Sequence, residues 1–226
     1  VHLYLPDLRG YGAPVTIRQM VHHVAGMGDY DADLFRKADG GEFRFGNEDY
    51  WTIAEFYKAV RDVPLRYAPG RRWEYSNLGY FLLSQVVERV SGMSLRQYAD
   101  GNMFAPLGMS HTMFYDNVNE PVKHRADGYR KTDAGDYELY MTNLSWVGDG
   151  GIYTTLDDFI HWDRNWTNNR LGKGGTDLIE LVTTPLPGFR AGGDAMLGDR
   201  QGYAFGLFVS EGDGPKIIGH TGGWVG

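Results

Sequence analysis

The sequence of 226 residues contains no cysteine, which excludes disulfide bonds, thiolate metal sites and a cysteine nucleophile. It also contains no apolar run long enough to span a membrane and no run of basic residues. Lys and Arg number 22 against 29 Asp and Glu, so the formal net charge is −7. A nucleic-acid surface is normally basic. We therefore expect no nucleic-acid partner and no membrane span, and we assign no metal and no cofactor.

The hydrophobic fraction, 42%, is ordinary for a globular chain of this length, which can bury a sizeable core. The first residue is Val1 rather than a methionine, and the last residues directly follow a strand-like run. We interpret the chain as a piece truncated at both ends. A targeting segment cannot be judged from such a start.

Four segments begin with the pattern of a helix capping box, in which a Ser or Thr and a residue three positions later bond each other's backbone N–H groups. They are Thr16 to Gln19, Thr52 to Glu55, Ser94 to Gln97 and, more loosely because Asp is shorter, Thr155 to Asp158. Apolar residues at helical spacing after Thr52 and after Thr155 predict amphipathic helices. The apolar run 78–90 predicts a buried helix that begins at Ser76 or Asn77 and stops at Gly92.

Strand-like sequence appears near the end of the chain. Residues 203–210 and 217–220 predict two strands of a hairpin joined by a turn at 211–215. Residues 115–150 predict loops with possible short strands. Since few partners for the hairpin are visible, we expect residues 1–226 alone to be poorly stable.

The main candidate motif is the string from Pro69 to Tyr80, PGRRWEYSNLGY. A bare Tyr-x-Asn is better explained by a core tyrosine followed by a helix cap. The longer string is different, since a Pro-Gly turn, an aromatic residue, Tyr-Ser-Asn, Gly-Tyr and an apolar helix follow one another. It resembles the second motif of the serine β-lactamase and penicillin-binding-protein hydrolases, closest to the branch of class C β-lactamases, D-aminopeptidases and esterases.

Further segments match that family in the same order along nearly the whole chain. They are 4–8, 17–27, 90–94, 104–109, 150–158 with Trp162, and His220-Thr221-Gly222-Gly223, which resembles the third motif, Lys-Thr-Gly in most β-lactamases. The resemblance implies an α/β (α+β) fold of the β-lactamase/transpeptidase type, with a helical subdomain and an antiparallel sheet, incomplete in this chain. We predict a single domain fragment over 1–226, mainly helical over about 14–114, with a helix and hairpin over about 150–226.

The resemblance also implies roles for individual residues. Tyr75 would relay a proton between the nucleophilic serine and the leaving group, and Asn77 would bond the catalytic lysine and the substrate amide. His220 stands in place of the usual lysine of the third motif. Thr221, Gly222 and Gly223 would bind substrate along a strand edge, with the Gly223 N–H in the oxyanion hole.

The nucleophile motif of this family, Ser-x-x-Lys, is absent from the sequence, and so is Thr-x-x-Lys. The family pattern would place it upstream of Val1. We therefore expect a serine hydrolase acting on esters, amides or D-amino-acid peptides, with residues 1–226 alone inactive and Tyr75 an ordinary protonated phenol. A family member without catalysis, serving as a binding or structural module, is the alternative. The expected partner is a small molecule or short peptide, the oligomeric state is open, and the resemblance favours a periplasmic or secreted location.

Weaker signals have ordinary structural explanations. His22 and His23 would point about 100° apart on a helix and could not easily share a metal, and His23 matches a family histidine that looks structural. The run 148–151 lacks the lysine of a phosphate loop and predicts a tight bend, from which Asp149 could reach the cleft. The many Tyr and Trp residues fit core and cleft walls better than a sugar-binding surface.

Overall fold

The computed structural model describes residues 1–29, 50–173, 175–192, 201–210 and 214–224. Its helices are α1 (Ile17–Val21), α2 (Ile53–Val60), α3 (Asn77–Ser91), α4 (Leu95–Ala99), α5 (Ala105–Leu107), α6 (Leu156–Asn165) and α7 (Asp177–Val182), with a π-helical segment, Asp100–Phe104, between α4 and α5. Its strands are β1 (Tyr50–Trp51), β2 (Met113–Phe114), β3 (Tyr129–Lys131), β4 (Tyr137–Leu139), β5 (Asn143–Leu144), β6 (Ile152–Tyr153), β7 (Gln201–Tyr203), β8 (Phe208–Ser210) and β9 (Ile217–Gly219). Within these ranges no helix has both the length and the apolar character needed to cross a membrane.

Three of the four predicted capping boxes are confirmed. Both reciprocal hydrogen bonds form at Thr16, Thr52 and Ser94. At the start of α6, Thr155 accepts from the Asp158 N–H, but the return bond is missing. The Asp158 carboxylate instead accepts from the His111 N–H and the Thr112 hydroxyl, each at 2.7 Å. The short side chain therefore ties the loop before β2 to α6 instead of closing the cap.

Helix α3 has the boundaries that its sequence predicts. Ser76 is the N-cap, and its Oγ accepts from the Gly79 N–H at 3.0 Å. Gly92 ends the helix in the left-handed conformation, with φ +70°, which glycine adopts without steric cost. Most of the apolar side chains in its first three turns are buried. Val90 is the exception near the end, where it is exposed.

The main core lies between α1, α2 and α3, and its centre is aromatic. Phe56 on α2 is fully buried, and its ring stacks on Trp146 with 3.9 Å between centroids. The Phe81 ring on α3 meets Phe56 edge-on at 4.6 Å. Aromatic contacts of this kind add to the free energy of burial. This core holds the start of α3, which carries the Tyr-Ser-Asn motif.

The terminal sheet has three antiparallel strands in the order β7-β8-β9. The β8-β9 pairing confirms the predicted hairpin, while part of its connecting turn, 211–213, lies outside the described residues. The prediction of one strand over 203–210 is wrong. The chain turns after β7, where the Ala204 N–H bonds the Leu207 oxygen at 2.8 Å and Gly206 has φ +67°. The residues before this turn form β7, which pairs with β8. The predicted hairpin therefore has a third strand beside it that the sequence did not reveal.

Three further sheets have two strands each. They pair β1 with β5 in parallel, β2 with β6 antiparallel, and β3 with β4 antiparallel. Strands β3, β4 and β5 confirm the short strands expected within 115–150. The helices together with antiparallel strands agree with the predicted α/β (α+β) class.

The apolar residues of α6 are not buried as an amphipathic helix would bury them. Leu156 is 80% exposed, Phe159 54% and Ile160 45%. The buried positions of this helix belong to Asp158 and Asn165. Both side chains bond neighbouring loops. The Asp158 carboxylate accepts from the His111 N–H, and Asn165 Oδ1 accepts from the Arg170 N–H at 2.8 Å. Polar anchoring to loops therefore decides which face of α6 points inward.

Replacing Phe56 with alanine tests the aromatic core. Because Phe56 is fully buried between two aromatic rings, we expect Phe56→Ala to lower the free energy of unfolding by about 3–5 kcal/mol. Phe159→Ala, at an exposed position of α6, is the matched control and should change it by less than about 0.5 kcal/mol. Denaturant unfolding measures both. Equal losses from the two variants would contradict this account of the core.

Candidate active site

Tyr75 lies directly before α3 and is fixed by His23 from both sides. The Glu74 N–H donates to the His23 backbone oxygen at 2.9 Å, and the Ser76 N–H donates to His23 Nδ1 at 3.2 Å. The two rings are 4.4 Å apart between centroids. Burial raises the pKa of Tyr75, and the negative charge of Asp29 raises it further. Tyr75 is therefore a neutral phenol near pH 7.

His23 is buried in an aromatic cluster and adopts a left-handed backbone conformation, with φ +56°. Its ring lies 4.3 Å from Tyr203 and 5.1 Å from Tyr80, centroid to centroid. Burial lowers the pKa of His23 to about 3, with smaller contributions from His220 and His22. The ring stays neutral, as its role as acceptor through Nδ1 requires. The left-handed conformation is uncommon for a residue with a side chain and marks a position held by its surroundings.

Asn77, the first residue of α3, is held by a carboxylate that the sequence analysis did not single out. The Asn77 N–H donates to Asp29 Oδ1 at 3.0 Å, and Asn77 Nδ2 donates to Asp29 Oδ2 at 2.9 Å. Beside this pair, Ser76 Oγ donates to the Gly28 oxygen at 2.9 Å. Asp29 escaped notice because it follows the segment 17–27 in a loop without periodicity. Its partner lies 48 positions away in the chain.

His220 directly follows β9 and lies next to Tyr75. Their ring centroids are 5.8 Å apart, and the His220 ring is 5.0 Å from that of Phe208. His220 is exposed, as are Thr221, Gly222 and Gly223. Among the described residues, no atom lies within 4 Å of where a Cβ would stand at Gly222 or Gly223. The structure thus brings His220 to Tyr75 and leaves the strand end beyond it exposed.

The bend at 148–151 requires glycine. Gly148 has φ +117°, and a Cβ there would stand 2.5 Å from Ser84 Cβ. Asp149 follows it, and Trp146 Nε1 donates to its Oδ2 at 3.4 Å. Burial raises the pKa of Asp149 to about 7, and the charge of Asp29 adds to this. Asp29 also binds Asn77.

A groove of about 1080 Å³ lies away from these residues and is lined by Arg96, His111, His124 and Tyr153 among others. Neither Tyr75 nor His220 lines it. Over the described ranges, no three His, Cys, Asp or Glu side chains are grouped as a protein metal site would require.

A sequence model of the beta-lactamase family matches residues 1–226. The chain belongs to the beta-lactamase family. It is 26% identical to penicillin-binding protein 4* of Bacillus subtilis over all of this chain and 49% of that protein. It is 25% identical to a D-aminopeptidase of Cereibacter sphaeroides over 97% of this chain and 39% of that protein. This beta-lactamase-family chain therefore spans about half or less of the length of these curated relatives.

Solved structures confirm the predicted β-lactamase/transpeptidase-like fold. The octameric penicillin-binding protein homologue from Pyrococcus abyssi is 26% identical, with a TM-score of 0.71 over 94% of this chain and 47% of that one. A D-stereospecific amidohydrolase from Streptomyces sp., at 21% identity, has a TM-score of 0.76 over 98% of this chain and 66% of that one. The second likeness concerns the fold alone.

The free energy of unfolding should depend on pH because the carboxyl of Asp149 has a raised pKa. Its carboxyl has a pKa of about 7 in the folded chain, against 3.8 as the ordinary value. Between these values the folded state holds a proton that the unfolded state has released, so stability falls as pH rises through this window. Asp149→Asn removes the effect. Relative to wild type, the variant should gain up to about 4 kcal/mol of stability between pH 4 and pH 8, at about 1.4 kcal/mol per pKa unit.

The measurement is the unfolding free energy of both proteins at several pH values. His23 has the opposite effect, because its lowered pKa costs stability as pH falls below about 6.5. This contribution is present in both proteins and cancels in the difference. Asp157→Asn, at an exposed position of α6, is the control. A constant difference between wild type and Asp149→Asn at all pH values would contradict the raised pKa.

Proposed function

We propose that this chain is part of a serine hydrolase that acts through an acyl-enzyme on esters, amides or D-amino-acid peptides. The observation that carries the proposal is that the His220 ring lies beside the ring of Tyr75, which is two residues before Asn77. These residues come from the start of α3 and the end of β9, and the Tyr75 and His220 ring centroids are 5.8 Å apart. A chance Tyr-x-Asn in a helix cap gives no reason for a His-Thr-Gly-Gly strand end to lie beside it.

The proposed reaction follows the chemistry of acyl transfer. A serine oxygen attacks the substrate carbonyl carbon, and the carbonyl electrons move onto oxygen, where the Gly223 N–H stabilises the charge. When this intermediate collapses, the bond to the leaving group breaks. The proton given up by serine passes through Tyr75 to the leaving group. Water then attacks the acyl-serine ester, releases the acid and returns the proton to serine.

This reaction requires a positive charge near Tyr75. Burial and Asp29 both raise the pKa of Tyr75, so deprotonating its phenol near pH 7 costs free energy, at about 1.4 kcal/mol per pKa unit. A lysine ammonium nearby would offset that cost. The sequence has no Ser-x-x-Lys, so the proposal includes a nucleophilic serine and a lysine supplied by a segment outside residues 1–226.

The names of similar proteins support the proposed substrate class. Curated relatives are named D-aminopeptidase, and a structural neighbour from Ochrobactrum anthropi is described as a D-amino acid amidase. These names belong to proteins of about 19–25% identity that are longer than this chain. For this chain, hydrolysis of D-amino-acid amides or peptides remains a proposal.

The role of Tyr75 can be tested in the full-length protein that carries this chain. We expect Tyr75→Phe to lower kcat by about 10²–10⁴ and leave KM nearly unchanged, because a proton relay acts only in the transition state. Tyr98→Phe, on α4, is the matched control. The assay is hydrolysis of D-amino-acid amides and p-nitrophenyl acetate, with covalent labelling by a fluorescent penicillin. A wild-type protein that is neither labelled nor hydrolytic would instead support a non-catalytic binding module.

His220 should disfavour substrates that carry a carboxylate at the third motif. A lysine there offers a fixed positive charge, whereas a neutral imidazole offers one N–H donor without that charge. Hydrogen bonds to charged groups contribute roughly 1.5–3 kcal/mol, against about 1 kcal/mol for neutral ones. We expect the wild-type protein to prefer uncharged esters and D-amino-acid amides to penicillins. His220→Lys should shift the ratio of kcat/KM values toward penicillins by about tenfold per 1.4 kcal/mol.

The ratio is to be measured from pH 5.5 to pH 8.5. Lys216→Arg, a change on the same hairpin that keeps the charge, is the control for altered folding. If the wild type already hydrolyses penicillins far better than the uncharged substrates at pH 8, the charge argument is wrong.

A further inference from the structure

Two hydrogen bonds join the Asp29 carboxylate to Asn77. Oδ1 accepts from the Asn77 backbone N–H at 3.0 Å, and Oδ2 accepts from Asn77 Nδ2 at 2.9 Å. The first bond caps α3, because the N–H groups of a helix's first turn have no partner within the helix. The second bond contributes nothing to the cap. It acts only on the orientation of the Asn77 amide.

That orientation follows from the chemistry of the two groups. An ionised carboxylate accepts hydrogen bonds and donates none, whereas a carboxamide has a donor side and an acceptor side. The reverse orientation of Asn77 would set its Oδ1 against Asp29 Oδ2, with no proton between the two oxygens. Both oxygens of Asp29 accept hydrogen bonds, as those of an ionised carboxylate do. The amide must therefore direct Nδ2 toward Asp29 and Oδ1 away from it.

We propose that Asp29 is a positioning residue that selects the face of Asn77 available to the cleft. It binds the Nδ2 donor and leaves the carbonyl Oδ1 to accept a hydrogen bond from a group in the cleft. Within the described part of the chain, Asn77 Oδ1 has no hydrogen-bond partner. The groups that fit this acceptor are donors, namely an ammonium or an amide N–H. The kinetic consequence rests on the proposed hydrolase function, whereas the orientation of Asn77 does not.

A single substitution separates capping from positioning. In Asp29→Asn, the new Oδ1 can still accept from the Asn77 backbone N–H, so the cap is retained. Its new NH₂ group then faces Asn77 Nδ2, and two donors cannot bond each other. Asn77 restores the bond by rotating its amide, which turns Nδ2 to the cleft in place of Oδ1. Asp29→Ala, in contrast, removes the cap and the orienting bond together.

The double variant Asp29→Asn/Asn77→Asp reverses the polarity of the pair. The NH₂ group of residue 29 donates to one carboxylate oxygen of residue 77, and the other oxygen is again an acceptor available to the cleft. The net charge of the pair is unchanged. Asp133→Asn, in the exposed turn between β3 and β4, is the control for loss of a carboxylate.

The experiment uses the full-length protein with ¹⁵N-labelled asparagine. NMR follows the side-chain NH₂ signal of Asn77, assigned with Asn77→Asp, while Tm and kcat/KM on a D-amino-acid amide are measured. In Asp29→Asn we expect a displaced Asn77 signal, a nearly unchanged Tm, and kcat/KM lower by about ten- to a hundredfold, the effect of one hydrogen bond involving a charged group. The double variant should recover part of this loss. Asp29→Ala should lower both Tm and kcat/KM.

The two proposals fail in different ways. If the wild type hydrolyses nothing, the proposed function fails, and the Asn77 signal still decides the role of Asp29. An Asn77 signal in Asp29→Asn that stays at its wild-type position would overturn the positioning role. In an active protein, so would a wild-type kcat/KM in Asp29→Asn, a loss of activity that follows Tm in every variant, or a double variant with no recovery.

Discussion

The candidate site depends on the two hydrogen bonds by which His23 holds the backbone around Tyr75. Its carbonyl oxygen and its Nδ1 accept from the residues on either side of the tyrosine. The ring can accept only while it is neutral, and burial keeps it neutral by lowering its pKa to about 3. His23 takes up a left-handed backbone conformation to make both contacts. His23, which the sequence analysis regarded as structural, thus holds the backbone on both sides of Tyr75.

Two acidic side chains of the site have pKa values shifted in the same direction. Tyr75 and Asp149 both have raised pKa values, in each case from burial first and from the charge of Asp29 as well. Burial disfavours any charge, as the lowered pKa of His23 shows, whereas the negative charge of Asp29 would favour a cation placed beside it. The ammonium group that serine acyl transfer requires in the proposed mechanism is such a cation.

Local sequence signals predicted local structure well. The capping boxes at Thr16, Thr52 and Ser94 and the stop at Gly92 formed as expected, because such caps involve atoms only a few residues apart. The two errors have different causes. The strand predicted over 203–210 splits at a local turn that the analysis missed, whereas α6 turns Asp158 inward to bond the distant loop at His111. Periodicity reports which side chains are apolar, but not which of them meet a partner.

By itself, the sequence determined the family, the starts of α1, α2, α4 and α6, both ends of α3, and the two motifs that carry Tyr75, Asn77 and His220. Each of these features is a short stretch of sequence that residue type and spacing alone can identify. The tertiary structure alone decided that His220 lies beside Tyr75, that His23 supports the tyrosine and that Asp29 orients Asn77. Each of these contacts joins residues far apart in the chain. No local pattern encodes them, because they form only when the core between α1, α2 and α3 and the separate cluster around Tyr203 and Phe208 bring those segments together.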